Sequence, residues 1–344
     1  MTFRILSCDG GGIRGYLSSS LIKALNTETD GKLLDGVHGF AGTSTGGLIS
    51  IALGAGVPID DIVSVYATKA ATIFKENTFF SADATDMAMR QAVEAEGLRA
   101  GPGIFECEYV ATGLRQVIDE LLPDKTATLG GTTEKMIAVN TAQLLDDGSK
   151  PPGWMPVTLN NLNAGDDYGD ILLADAALAT SAAPTYFPPH QIGKRGYFAD
   201  GGTFANNPVM NAIEVALSTG KASALADIEV ISFGTGLTPQ GISPKAIGKP
   251  LGWGVTSWLR PWKSSRGAPA TALLVMTMDL SAQNAGSIAD RLLGHRMARI
   301  NPVLSRPVPL DAYENADYAI MDAAIADAKK GQGWKDAIKL IKDW

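Results

Sequence analysis

The chain has 344 residues, 45% of them hydrophobic and 19% charged, with a net charge of −7. That length supports a large buried core, while the acidic balance excludes a general nucleic-acid binder and any strong overall attraction to anionic membranes. Two cysteines, Cys8 and Cys107, give neither a disulfide framework nor zinc-ligand spacing and point to a reducing, cytoplasmic setting. The N-terminus enters a strand at once, with no basic segment ahead of a signal-peptide core. The most apolar window, about 37–57, is broken by glycines and reads as core, not as a membrane span. No 20–50-residue repeat, low-complexity linker or domain boundary stands out.

Phe3 to Cys8 reads as a buried strand. Asp9-Gly10-Gly11-Gly12-Ile13-Arg14-Gly15 follows, then a helix to about Leu25 with Leu17, Leu21 and Leu25 spaced by four. A strand, a glycine-rich turn and a helix outline an anion-binding loop. Gly10-x-Gly12-x-x-Gly15 also matches the dinucleotide-binding fingerprint. Against that reading, Asp9 puts a carboxylate beside the pyrophosphate site, and three consecutive glycines exceed what that turn needs. Asp30 and Asp35 lie near the expected offset of about 20 residues, but in a polar connection before the strand. The alternative is that Gly10, Gly11 and Gly12 present N–H groups to an oxyanion.

The next strand leads into Gly42-Thr43-Ser44-Thr45-Gly46-Gly47, and an apolar helical run leaves it. This strand-turn-helix setting is where a Gly-x-Ser-x-Gly nucleophile elbow makes physical sense. Small residues two before and two after the serine let strand and helix approach, and the helix N-terminus offers partial positive charge. The same pattern also fits a purely structural turn.

Pro58 to Phe74 reads as one helix, residues 75–104 as a helix with loops covering part of the core, and Tyr109 to Leu122 as an amphipathic helix stopped by Pro123. Met136 to Asn140 and Met155 to Leu159 read as strands around a polar turn over Asp146–Gly153. Ile171 to Ser181 reads as an alanine-rich helix that Pro184, Pro188 and Pro189 end. Tyr197-Phe198-Ala199 is a short strand running into Asp200-Gly201-Gly202, and Asn206-Asn207-Pro208 opens a helix to about Leu217. Ile228 to Phe233 is a further strand, with helices over about 268–292, 315–329 and Trp334 to Trp344. Trp253, Trp258 and Trp262 fall within ten positions beside Arg260 and Lys263. Strands alternating with helices predict an α/β fold of three layers, with a mainly parallel central sheet.

Ser44 needs a base. A Ser44, Asp200, His295 order can be drawn, but only 43 residues precede the serine, too few for the strands an α/β-hydrolase places there. His38 lies at the far end of the strand and His190 in a proline-rich connection. Asp200 is the better candidate, because the C-terminal ends of parallel strands converge on one crevice. Burial without a cationic partner would raise its pKa into a usable range.

Taken together, the three motifs Asp9-Gly-Gly-Gly-Ile-Arg14-Gly15, Gly42-Thr-Ser44-Thr-Gly46 and Asp200-Gly-Gly resemble the patatin-like phospholipases in kind and order. Pro58-Ile-Asp-Asp-Ile, Ala182-Ala-Pro-Thr-Tyr-Phe-Pro and Arg299-Ile300-Asn301-Pro302 add to the likeness. It is close over about residues 3–210 and looser beyond, where about 211–344 would complete a single domain. The resemblance implies a lipid acyl hydrolase of the phospholipase A or lysophospholipase type, with no cofactor or metal. Ser44 would be the nucleophile and Asp200 the proton acceptor. Gly10, Gly11, Gly12 and Arg14 would form the oxyanion hole, and Gly15, Gly42, Gly46, Gly201 and Gly202 would be the motif glycines. It also implies an acyl-ester lipid as substrate, and an activating partner or ligand and peripheral membrane contact as open matters. The competing readings are a catalytically silent lipid- or nucleotide-binding protein on the same fold, and a dinucleotide enzyme.

Overall fold

A computed structural model describes residues 2–344 except 80–86, 89–90, 92–105, 132–133, 145–152, 163–167, 238–240, 260–263 and 265–266. The expected helix over 75–104 and the turn at Asp146–Gly153 fall largely outside the described residues.

The strands are β1 (Phe3–Cys8), β2 (Gly39–Thr43), β3 (Met136–Gln143), β4 (Met155–Asn160), β5 (His190–Gln191), β6 (Tyr197–Asp200), β7 (Ile228–Phe233) and β8 (Met297–Ile300). They form one sheet ordered β5-β6-β3-β2-β1-β7-β8, with β4 also on β3. The pairings among β3, β2, β1, β7 and β8 are parallel, whereas β4 and β6 run antiparallel to β3. The main helices are α1 (Gly15–Glu28), α2 (Thr45–Gly54), α3 (Ile59–Thr68), α4 (Ala111–Leu121), α5 (Leu173–Thr180), α6 (Val209–Ser218), α7 (Ala272–Leu293), α8 (Asn315–Ala328) and α9 (Gln332–Lys342).

Side chains alternate faces along each strand, and the sheet separates two cores accordingly. Leu6, Phe40, Ile137, Val139 and Phe233 pack on one face with α1 to α5, α8 and α9. Ile5, Ala41, Met136, Ala138 and Val230 pack on the other with α6 and the end of α7. This is a three-layer α/β/α fold, as expected. The apolar window around 37–57 is β2 and the buried α2. Among the described residues no helix is long and apolar enough to cross a membrane.

Local chemistry explains several boundaries. Asn207 Oδ1 accepts the Val209 N–H at 3.0 Å and starts α6, the side-chain cap expected ahead of Pro208. The stretch Pro58 to Phe74 is not one helix. It breaks at Lys69, whose carbonyl takes the N–H groups of Thr72 and Ile73 in a separate turn, Ala70–Ile73. The short strands β5 and β8 come in addition to the expected ones.

Candidate active site

Ser44 occupies the single residue between β2 and α2. Its backbone sits at φ 54° and ψ −125°, a left-handed conformation that a side chain makes costly. Neighbouring contacts hold it there. A Cβ at Gly42 would run into the Gly46 carbonyl, and one at Gly46 into the Cys8 carbonyl. The Ser44 N–H donates to Thr180 Oγ1 at 2.9 Å, and that hydroxyl donates to the Asn140 carbonyl at 2.6 Å. The N-terminus of α2 starts directly behind the serine.

Asp200 arrives by a route the sequence did not show. It was expected at the C-terminal end of a parallel strand, yet β6 is antiparallel to β3. Thr43 pairs with Asn140, and Asp200 pairs with Thr141, the next residue of β3. Since β4 occupies the other edge of β3 over these positions, β2 and β6 share one edge and meet end to end. Their C-terminal residues therefore converge on the same point.

Asp200 is 2% exposed. Its Oδ1 accepts the Gly202 N–H at 2.7 Å, while its buried Oδ2 has no hydrogen-bond partner. Burial pushes the carboxyl up to about 6, with the neighbouring Ser44 hydroxyl and then the Gly202 N–H partly opposing the rise. The serine and the carboxylate are close but do not meet hydrogen-bond geometry, as is common in ligand-free sites. A carboxylate of this kind is a competent general base near neutral pH.

The glycine loop faces the same point. A Cβ on Gly10 would lie 3.2 Å from Ser44 Cβ. The Gly10 N–H, however, donates to the Asn206 carbonyl at 2.9 Å. No acceptor among the described residues takes the N–H of Gly11 or Gly12. Gly12 has φ +57°, and a side chain there would meet the Leu310 carbonyl. That carbonyl accepts the Ile13 N–H at 2.7 Å.

Arg14 is buried beside the loop. Its Nε reaches the Gly11 carbonyl at 3.4 Å and its Nη1 the Gly236 carbonyl at 3.5 Å. It braces the loop through carbonyls, and its guanidinium faces a second cavity. Burial lowers its pKa, and Asp279 is the largest opposing charge. Gly15 starts α1, and Gly201 and Gly202 turn the chain after Asp200.

Ser44, Asp200 and Gly12 line an apolar cavity of about 50 Å³. Across Tyr186, Met278 and Leu310 lies a larger, more polar cavity of about 400 Å³ lined by Arg14, Asn206 and Asp279. None of the three histidines lines either one. His38 stacks on Phe3 and accepts the Arg4 N–H on Nδ1, His190 pairs with Asp175 at 3.1 Å, and His295 is exposed at the end of α7.

Four supporting residues carried no functional signal in the sequence: Thr180, Asn140, Thr235 and Leu310. Thr235 Oγ1 donates to the Gly10 carbonyl at 2.9 Å. Each lies far along the chain from the loop it holds, so only the folded chain brings them there.

The chain matches the family model described as patatin-like phospholipase over residues 6–213. It is 31% identical over 258 residues to a protein named cGAMP-activated phospholipase from Escherichia coli (strain TW11681), covering 72% of this chain and 65% of that one. It is 29% identical over 289 residues to Patatin-like protein 2 of Arabidopsis thaliana, covering 74% of this chain and 65% of the relative. The chain thus spans about two thirds of the length of these relatives. Among solved structures, VipD from Legionella pneumophila aligns over 96% of this chain and 74% of its own, at 14% identity and a TM-score of 0.40.

Proposed function

The chain belongs to the patatin-like phospholipase family, and from that premise we propose that it is a lipid acyl hydrolase working through a Ser44–Asp200 dyad. The observation that carries the reading is the buried Asp200 carboxyl, raised to about 6 and beside a serine held at positive φ. Ser44 Oγ attacks the ester carbonyl carbon as Asp200 takes the hydroxyl proton. Negative charge builds on the carbonyl oxygen, where the uncommitted N–H groups of Gly11 and Gly12 are available to receive it. The tetrahedral intermediate expels the alcohol, which takes the proton from Asp200 and leaves an acyl-Ser44 ester. Water then attacks that ester as Asp200 takes its proton; the second tetrahedral intermediate expels Ser44 Oγ, which takes the proton back from Asp200, releasing the carboxylic acid and restoring the free serine and the aspartate.

The substrate class rests on the family: a phospholipid or lysophospholipid, cleaved at a carboxylic ester. Relatives named cGAMP-activated phospholipase bring a ligand activator into the proposal, so the assay is run with and without cGAMP. Wild type and Ser44→Ala are compared on phospholipid vesicles and on p-nitrophenyl esters. Turnover by wild type alone supports the reading. Substantial turnover by Ser44→Ala removes the nucleophile assignment. Absence of turnover in every condition favours a catalytically silent lipid-binding protein.

A further inference from the structure

Resting on the hydrolase reading, we infer that four side chains, Leu48, Tyr66, Ile73 and Leu114, form a wall that sets the length of the acyl chain the enzyme accepts.

The cavity that holds Ser44 and Asp200 is narrow, about 50 Å³, and runs away from them into the helical layer. Its far end is made by α2, α3, the turn after Lys69 and α4, through those four residues. Behind them lies a second void of about 10 Å³, enclosed by Ile62, Val65, Val117, Ile118 and Leu121 together with the same four. The two spaces thus share one wall, and apart from Tyr66 the residues around the rear void are all aliphatic. A void of this size holds at most about one water-sized sphere, and an apolar one stays dry. It is nevertheless space into which a longer chain extends once the wall is cut back.

Two observations assign the acyl group to this side. The slot beside Ser44 is lined mainly by apolar side chains, whereas the 400 Å³ cavity across Tyr186, Met278 and Leu310 carries Arg14, Asp279 and Asn206. A fatty acyl tail belongs in the first and a polar alcohol portion in the second. The wall is also fixed in place. The Tyr66 hydroxyl accepts from Thr45 Oγ1 at 2.5 Å and donates to the Thr45 carbonyl at 3.1 Å, which ties the ring to the residue after the nucleophile. Ile73 and Leu114 are both buried. Ile73 reaches the slot from the separate turn Ala70–Ile73 that follows the break at Lys69.

The test is a chain-length profile. The kcat/KM for p-nitrophenyl butyrate, octanoate, dodecanoate and palmitate is measured for wild type, Ile73→Ala, Leu114→Ala and Leu48→Phe, each beside a Ser44→Ala control. Wild type is expected to favour the shorter esters. Ile73→Ala and Leu114→Ala, by joining the two voids, should raise the dodecanoate-to-butyrate ratio about tenfold, the discrimination one methylene gives in a hydrophobic pocket. Leu48→Phe fills the slot and should shift the ratio the other way, so the test survives if an alanine variant fails to fold. Ser44-dependent hydrolysis with unchanged ratios in the folded variants overturns the wall while leaving the hydrolase reading intact. Absence of Ser44-dependent hydrolysis at every chain length overturns both.

Discussion

Arg299 grips both carboxylate oxygens of Asp9, Nη1 to Oδ1 at 3.1 Å and Nη2 to Oδ2 at 2.5 Å, across 290 residues of chain. Arg299 also donates to Ser232 Oγ at 2.7 Å. Asp9 is 3% exposed, and burial pushes its carboxyl upward against the pull of Arg299. The pair stands immediately before the glycine loop, so β8 anchors the segment that faces Ser44.

Removing one partner of this pair should cost far more than removing both. Arg299→Met leaves a buried, unpaired carboxylate and should lower stability by about 3–5 kcal/mol at neutral pH. The double variant Asp9→Asn/Arg299→Met should recover part of that loss. Urea unfolding of the three proteins checks this. An Arg299→Met midpoint equal to wild type would mean that the pair does not anchor the loop.

Asp200 should show itself in both activity and stability. Only the ionised carboxylate accepts the serine proton, so kcat/KM should climb with pH, reach half its maximum near 6 and level off about one unit higher. The folded-state value lies above the ordinary 3.8, so between these values the native state binds more protons than the unfolded state. Stability therefore falls as pH rises from about 4 to 7, by an amount on the order of 3 kcal/mol. Asp200→Asn has nothing to ionise. It should be inactive, yet more stable than wild type at pH 8, with the advantage shrinking toward pH 4. An active Asp200→Asn, or a flat wild-type rate between pH 5 and 8, would remove the aspartate from the mechanism.

The backbone at Ser44 separates strain from chemistry. Ser44→Ala and Ser44→Gly both lose the hydroxyl and should both be inactive. Only glycine relieves the positive φ, so Ser44→Gly should be more stable than Ser44→Ala by about 1 kcal/mol. Equal melting temperatures for the two variants would show that the turn carries no such strain.

The elements around this site were unevenly legible in the sequence. Ser44 and the glycine loop stand in local strand-turn-helix patterns, and the structure has those elements at nearly the expected residues. Asp200 was placed at a strand end for the wrong reason, because strand direction is a long-range property that Tyr197-Phe198-Ala199 cannot encode. The bond from the Gly10 N–H to the Asn206 carbonyl is not legible in the sequence, because nothing near Gly10 along the chain reveals that acceptor. The break at Lys69 escaped notice because no glycine or proline marks it. β8 escaped because four residues following a long helix show no clear alternation, with Arg299 on a strand that ends its side chain in a buried ion pair.

The tryptophan segment separates surface from core. Trp253 and Trp258 pack edge to face, with ring centroids 4.9 Å apart, and Trp253 Nε1 donates to the Ile247 carbonyl at 2.8 Å. Both rings are half-buried, while Trp262, Arg260 and Lys263 fall outside the described residues. Leu251 and Val255 on the same segment are strongly exposed, at 103% and 74%. A hydrolase of aggregated lipid must draw its substrate from a surface, and exposed apolar side chains beside an aromatic pair suit the membrane-water boundary. Leu251→Asp/Val255→Asp should therefore weaken sedimentation with phosphatidylcholine vesicles and slow turnover of vesicle lipid. Hydrolysis of a soluble butyrate ester and the melting temperature should stay near wild type, because neither side chain is packed or lines the Ser44 cavity. Trp253→Ala/Trp258→Ala should instead lower the melting temperature, since that change takes apart a packed ring pair. Unchanged vesicle binding in the aspartate variant would show that this surface does not meet lipid.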